Sequence, residues 1–275
     1  MAGTLYVVAT PLGNLGDLSP RAADTLKRVA TVAAEDTRHS KPLLHHVGSK
    51  AELISFHEHS SDRALERILR ILTEGRDVAL ITDAGTPAIS DPGVDLVAAA
   101  RERGVPIVTI PGPTAVAASL AVCGIPADRY LFLGFLPRKG SDRRRLLSTA
   151  AASEWTVVMF EAPNRVTQLL ADLAEACGPE RQAAVSRELT KVFEETRAGT
   201  LQELSEHYAE APVRGEVTVV LSGTGKEHVE EPPPDPGERA KALLAEGMSR
   251  KDVADRLVEE TGISRNSAYR LVNEL

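Results

Sequence analysis

The run Val78-Ala-Leu-Ile-Thr-Asp-Ala-Gly-Thr-Pro-Ala-Ile-Ser-Asp-Pro-Gly93 decides the fold. It opens with a continuous apolar stretch, Val78–Thr82, and then holds two glycines and two prolines up to Gly93. An alternating pattern would suit a strand with one wet face. A continuous one suits a strand buried on both faces, as in a parallel sheet. Just upstream, Asp62–Glu74 places Leu65, Ile68, Leu69 and Leu72 at helical spacing, with Gly75 as its stop. A covered strand that follows a helix and ends in a stiff loop is the repeating unit of an α/β sheet.

The same pattern extends outward. Leu5–Ala9, Thr31–Ala34, Leu53–Phe56 and Ile107–Ile110 are further strand candidates. A second set follows from Tyr130: Leu131–Phe135, Thr156–Phe160, Ala183–Arg187, Phe193–Ala198 and Glu216–Leu221. The helix Pro163–Cys177 sets Val166, Leu169, Leu170, Leu173 and Cys177 on one face. Several strands of this half follow one another with little room for helices, so a mixed sheet is expected there. The expected organisation is an N-terminal α/β lobe over 1–112 and a C-terminal α/β lobe over 113–224. A Pro-rich linker follows over 225–237, then a helical RNA-binding or accessory module over 238–275. In that module Ser249 and Ser264 are N-cap candidates of a helix-turn-helix, whose second helix would present Arg265 and Arg270.

The 275 residues are 43% hydrophobic and 26% charged, which suits a globular chain with a sizeable core. No run of residues reaches the ~18–20 apolar positions of a membrane span. Nor does the N-terminus have the basic start of a signal peptide. Cytoplasmic residence and no membrane association are the expectation. Cys123 and Cys177 read as reduced thiols, and the histidines at 39, 45, 46, 57 and 59 lack metal-ligand spacing. No metal is expected. A net charge of −7 argues against a protein that coats nucleic acid generally. It leaves room for a local basic patch, such as Arg138-Lys-Gly-Ser-Asp-Arg-Arg-Arg145.

Three glycine- and proline-rich loops stand directly after predicted strands: Thr10–Asp17, Thr82–Gly93 and Pro111–Ala115. In open parallel sheets ligands bind at the carboxyl ends of strands, where glycine admits close backbone approach. None of the loops matches the dinucleotide G-x-G-x-x-G or the phosphate-binding G-x-x-x-x-G-K-[ST] pattern. That weighs against a nucleoside triphosphatase or a nicotinamide enzyme.

These loops, taken with Glu35-Asp-Thr-Arg38, Phe160-Glu-Ala-Pro-Asn-Arg165 and Ser186-Arg-Glu-Leu-Thr-Lys191, resemble the ribosomal RNA small subunit methyltransferase I family. That family belongs to the tetrapyrrole methylase superfamily, and the match runs in order from about residue 4 to about residue 223. The resemblance implies a two-lobed α/β homodimer that binds S-adenosyl-L-methionine between its lobes. It implies methylation of the ribose 2′-hydroxyl of a cytidine in the decoding region of 16S rRNA, within the small ribosomal subunit. Carried over loop by loop, it implies donor contacts at Pro11, Asp83, Thr86, Ile89, Thr114 and Ala115. In the second lobe it implies Phe160, Ala162, Ser186 and Thr218.

A ribose hydroxyl is a poor nucleophile while it keeps its proton, so a carboxylate in reach would help. Glu35 and Glu161 are the foremost candidates, and Asp36 and Glu188 are others near strand ends. Each has a basic neighbour, so ion pairs that merely fix the loops remain an alternative. Arg38 and Arg165 suit phosphate by bidentate contact, as do Arg138, Lys139, Arg143, Arg144 and Arg145. Two other functions stay open at this point. One is methylation of another substrate of the superfamily, a tetrapyrrole or a modified protein residue. The other is a ligand-sensing DNA-binding regulator, suggested by the helix-turn-helix.

Overall fold

The computed structural model describes residues 2–57, 60, 62–210, 213–224, 236–245, 248–261 and 263–274, with 259–261 as backbone only. Two compact units result, Met1–Thr224 and Gly225–Leu275. Most of the expected linker, 225–235, and His59 of the histidine group lie outside the described residues.

The first half of the larger unit alternates strand and helix: β1 Leu5–Val8, α1 Pro20–Arg28, β2 Thr31–Ala34, α2 Thr37–His46, β3 Glu52–Ser55, α3 Asp62–Thr73, β4 Val78–Ile81, α4 Val94–Glu102, β5 Ile107–Ile110. Its strands lie in the order β3-β2-β4-β1-β5 and every pairing is parallel. All four residues of β2 and of β4 are buried. Leu5, Ala33, Val78 and Leu80 pack with Ile68, Leu72, Leu96 and Ala100 of α3 and α4. Val8, Val32, Ala79 and Ile81 pack with Leu26, Leu43 and Leu44 of α1 and α2. A sheet covered on both faces explains the unbroken apolar runs.

Helix α5, Ala115–Val122, leads to the second half: β6 Tyr130–Phe135, α6 Ser141–Ala152, β7 Thr156–Glu161, α7 Val166–Cys177, β8 Gln182–Arg187, β9 Glu195–Thr200, α8 Leu201–Ala209, β10 Val217–Leu221. The order is β6-β7-β10-β8-β9, parallel for β6–β7 and antiparallel elsewhere. This is the mixed sheet expected from closely spaced strands. Met159, Val185 and Val219 face Leu169, Leu173 and Leu204 of α7 and α8. Val158, Ala184 and Val220 on the other face meet Val116 of α5.

Two elements start more than one residue from where they are expected. Strand β9 starts two residues late, because residues 188–194 form consecutive turns, with Lys191 N–H donating to Glu188 O and Glu194 N–H to Lys191 O. Those turns leave Val192 and Phe193 on the surface. The helix expected from Pro163 opens as a tight 3-10 turn, Pro163–Arg165, before α7 begins.

The smaller unit contains α9 Pro236–Ala245, α10 Arg250–Thr261 and α11 Arg265–Glu274. Leu243, Val253, Leu257, Ala268 and Val272 form its core. Ser249 accepts from the Asp252 N–H and Ser264 from the Ser267 N–H, so both serines cap as expected.

Candidate functional site

The carboxyl ends of β1 and β4 are tied together. Thr10 and Gly85 exchange backbone hydrogen bonds at 2.8 and 3.1 Å, and the Thr10 hydroxyl donates to Thr82 O at 3.1 Å. From there the loop after β4 spreads outward. Thr86 donates to Pro113 O at 3.2 Å, which braces the loop before α5. Farther along, the Ser90 hydroxyl lies beside Gly134 of β6. Ala88 and Ser90 have φ of 69° and 62°, in the left-handed region that non-glycine residues seldom occupy. Non-glycine strain of this kind gathers at sites where structure holds a working geometry.

The loop forms one wall of a cavity of about 420 Å³. On its sheet-one side lie Glu35, Asp83, Thr86, Ile89, Thr114 and Ala115. The opposite wall, from the second sheet, contains Phe160, Glu161, Ala162 and Thr218. The structure thus brings together most of the residues expected to bind a cofactor and both carboxylates favoured as bases. Two expected residues are not on this wall. Pro11 is buried behind it, where its neighbour Leu12 takes the lining position. Ser186 shares a cross-strand row with Thr218 and Phe160, but is fully buried and accepts a bond from Thr196.

Glu161 ends β7 with a side chain that is 0% exposed. Its Oε1 accepts from the Ala162 N–H at 2.8 Å and pairs with Arg165 Nε at 3.1 Å. Its Oε2 has no hydrogen-bond partner among the described residues. A buried unpaired carboxylate oxygen is costly, so the cavity offers a place for a hydrogen-bond donor from a bound molecule. Glu35 is committed differently. Its Oε2 accepts from the Thr82 hydroxyl at 2.7 Å and from the Asp83 N–H at 3.4 Å. Both carboxylates therefore brace loops as well as facing the cavity. Asp83 in turn accepts from the Asp36 N–H and bonds His39 Nδ1 at 2.9 Å. That bond raises the affinity of the His39 ring for a proton.

Asp91 escaped the sequence reading. It is half-buried on the same loop, and burial pushes its carboxyl up to about 6, aided by Glu35, Asp83 and Glu216 and opposed by the Thr82 hydroxyl. The only sequence signal was a carboxylate set within a rigid loop, Ser90-Asp-Pro-Gly93.

The basic residues divide. Arg138, Lys139, Arg144 and Arg145 are exposed near the start of α6. Arg143 is not. Its guanidinium turns inward to Asp172 and Pro137 O, leaving its side chain 9% exposed. Helical spacing faces it toward α7, so Arg143 is a structural residue, and the reading of it as an RNA contact is corrected. Arg165 is partly committed, to Glu161 and to Leu136 O. It nonetheless lines a second depression of about 370 Å³ with Arg138, Asn164 and Ala162. Arg38 is 85% exposed beside Asp36, whose carboxyl it holds far below the usual range. In the smaller unit Arg265 pairs with Asp255, and Arg270 is exposed. No group of residues suited to a metal occurs among the described residues.

Comparison with known proteins identifies this architecture. Residues 4–205 match the family of Tetrapyrrole (Corrin/Porphyrin) Methylases. The fold is similar to uroporphyrin-III C-methyltransferase from Thermus thermophilus complexed with S-adenyl homocysteine, at a TM-score of 0.58 and 19% identity over 80% of this chain and 97% of that one. Diphthine synthase gives a TM-score of 0.63 at 14% identity, over 80% and 89%. The ribosomal RNA small subunit methyltransferase I of Synechocystis sp. is 41% identical over 99% of this chain and 98% of its own length. That of Pseudomonas aeruginosa is 43% identical over 98% and 96%. Identity at this level along the whole of both chains, with the cavity loops included, shows that the chain belongs to the ribosomal RNA small subunit methyltransferase I family of tetrapyrrole methylases.

Proposed function

We propose that the protein transfers the methyl group of S-adenosyl-L-methionine to the ribose 2′-hydroxyl of a cytidine in the decoding region of 16S rRNA, in the small ribosomal subunit in the cytoplasm. The observation that carries the reading is the cavity between the two sheets. Its wall pairs stiff backbone loops with the unpaired Glu161 Oε2. That oxygen suits a hydrogen-bond donor, and the half-buried Phe160 and the exposed Ile89 among the lining residues suit a nucleoside face. The names of the relatives and the ligand of the Thermus structure agree with it.

Thr86, Ile89, Thr114, Ala115, Phe160, Ala162 and Thr218 would hold the donor, with Asp83 shaping the loop and Pro11 supporting it from behind. Bound there, the donor supplies an electrophilic methyl group. The loops contribute orientation, which is worth roughly 7–11 kcal/mol in well-aligned sites. Arg165 and Arg138, in the depression that shares Ala162 with the cavity, would take backbone phosphate. Arg38, Lys139, Arg144 and Arg145 would extend that track, and Arg265 and Arg270 would add contacts from the smaller unit. Glu161 and Glu35 stay within the machinery, as a donor contact and a loop brace. Two copies would pair through α5 and the flanking edge strands.

The test is transfer of labelled methyl groups to small subunits from a strain lacking this activity. Label on one alkali-resistant ribose linkage in 16S rRNA is the expected result. Label on a base, or none, would refute the reading.

A further inference from the structure

A second cavity, of about 510 Å³, adjoins the first. Its volume lies within the range of small-molecule sites. Its walls include Phe56 and His57 beyond β3, Ser60, and the tip of the loop after β4. Two residues line both cavities, Glu35 and Asp91. Glu35 is held by the Thr82 hydroxyl and the Asp83 N–H. Asp91 stands with it at the junction, within reach of the same Thr82 hydroxyl. It is carried between the left-handed Ser90 and Gly93, whose φ is 135°. A Cβ on Gly93 would lie 2.8 Å from the Leu80 side chain, so a larger residue there would need that side chain to shift. Glu161, on the far wall, lines the first cavity alone, so the second is reached from the first through Glu35 and Asp91.

We infer that the second cavity receives the acceptor nucleoside and that Asp91 is the base that takes its hydroxyl proton. The inference rests on the methyl-transfer reading above. Asp91 accepts the O2′ proton as the oxygen's electron pair forms the new bond to the methyl carbon. The electrons of the broken sulfur–carbon bond stay on sulfur, which becomes a neutral thioether. The proton then leaves Asp91 for solvent, to which the half-buried side chain has access. The groups facing Asp91 are Glu35 from the end of β2, Asp83 and the Thr82 hydroxyl from its own loop, and Glu216 before β10. His57, Asp62 and Asp95 line the adjoining wall. Burial and three carboxylates favour the protonated form, so the affinity for a proton lies close to working pH, where a general base is most effective.

The experiment compares the wild-type protein with Asp91→Asn and Asp91→Glu on labelled small subunits, with donor affinity by calorimetry and melting temperature from pH 4 to pH 8. Asp91→Asn should lose about 100-fold or more in turnover, far more than it loses in donor affinity, and Asp91→Glu should recover part of it. The folded protein holds this proton more tightly than the unfolded chain, so ionisation weakens the fold. Wild-type stability should fall relative to Asp91→Asn as pH rises from about 4 to about 6, and the gap should then stay constant. Normal turnover in Asp91→Asn, or a melting difference that ignores pH, would overturn the inference. If Asp91→Asn does not fold, the wild-type pH–rate profile decides, since an acid limb near 6 supports the inference and a flat profile from pH 5 to 8 overturns it. A wild-type protein that fails to methylate small subunits would instead sink the underlying reading, while the pH-dependent melting gap still reports on Asp91.

Discussion

Arg143, Arg144 and Arg145 are adjacent and chemically alike, yet the fold gives them different work. Arg143 meets Asp172 through two nitrogens and closes the gap between α6 and α7. Losing it would strand a largely buried carboxylate, which costs about 3–5 kcal/mol for a fully buried pair. Asp172 is 21% exposed, so about 2–3 kcal/mol is the expectation for Arg143→Ala. Urea unfolding should show that loss. Arg144→Glu with Arg145→Glu should change stability by no more than about 0.5 kcal/mol. Because these two would meet phosphate, the same change should weaken subunit binding and flatten its dependence on salt. Equal stability losses for the two variants would mean that Arg143 is no more structural than its neighbours. Sequence could count the charges in this run. Which of them turned inward depended on Asp172, 29 positions away.

At the scale of elements, strand type was legible because burial on both faces leaves no reason to alternate. The residues of β2 and β4 are buried without exception, and their apolar runs announced it. The start of β9 was harder to read, since the turns over 188–194 rest on Glu188 accepting from Lys191 and the Glu216 N–H. Helix α5 raises a different question. It is apolar on nearly every side, as fully covered helices are, yet Val122 is 53% exposed. Val108 on the edge strand β5 and Tyr130 on the edge strand β6 are 39% and 46% exposed. Exposed apolar side chains on a helix and on two edge strands offer places for a second copy to pair. The wild-type chain should sediment as a dimer, and Val122→Glu with Val108→Glu should shift it to a monomer of unchanged helical content. A wild-type monomer at micromolar concentration would show that this surface has another use.

For the whole molecule, the cavity proposed to hold the donor is lined by residues of Met1–Thr224, while the helices of Gly225–Leu275 have their own core of Leu243, Val253, Leu257 and Val272. The sequence suggests a break there through the prolines at 232–234 and 236, and a ligand site through three loops at strand ends. It did not reveal that Asp91 joins two cavities, since that requires the loop after β4 to reach over to Gly134 of β6. The smaller unit balances seven basic against seven acidic side chains over 238–275, so it lacks the overall charge of an independent nucleic-acid binder. The use proposed for it is local, through Arg265 and Arg270 on α11. A chain ending at Thr224 should keep its melting temperature and bind S-adenosyl-L-methionine within about twofold of the full-length value, because no residue of the cavity is removed. Its affinity for small subunits should fall by about tenfold, the equivalent of about 1.4 kcal/mol. Arg265→Glu with Arg270→Glu in the full-length chain should reproduce most of that fall. Truncation that abolishes donor binding would show that the helices support the catalytic unit. If the double variant binds subunits normally while the truncated chain does not, their contribution lies in contacts other than these two arginines.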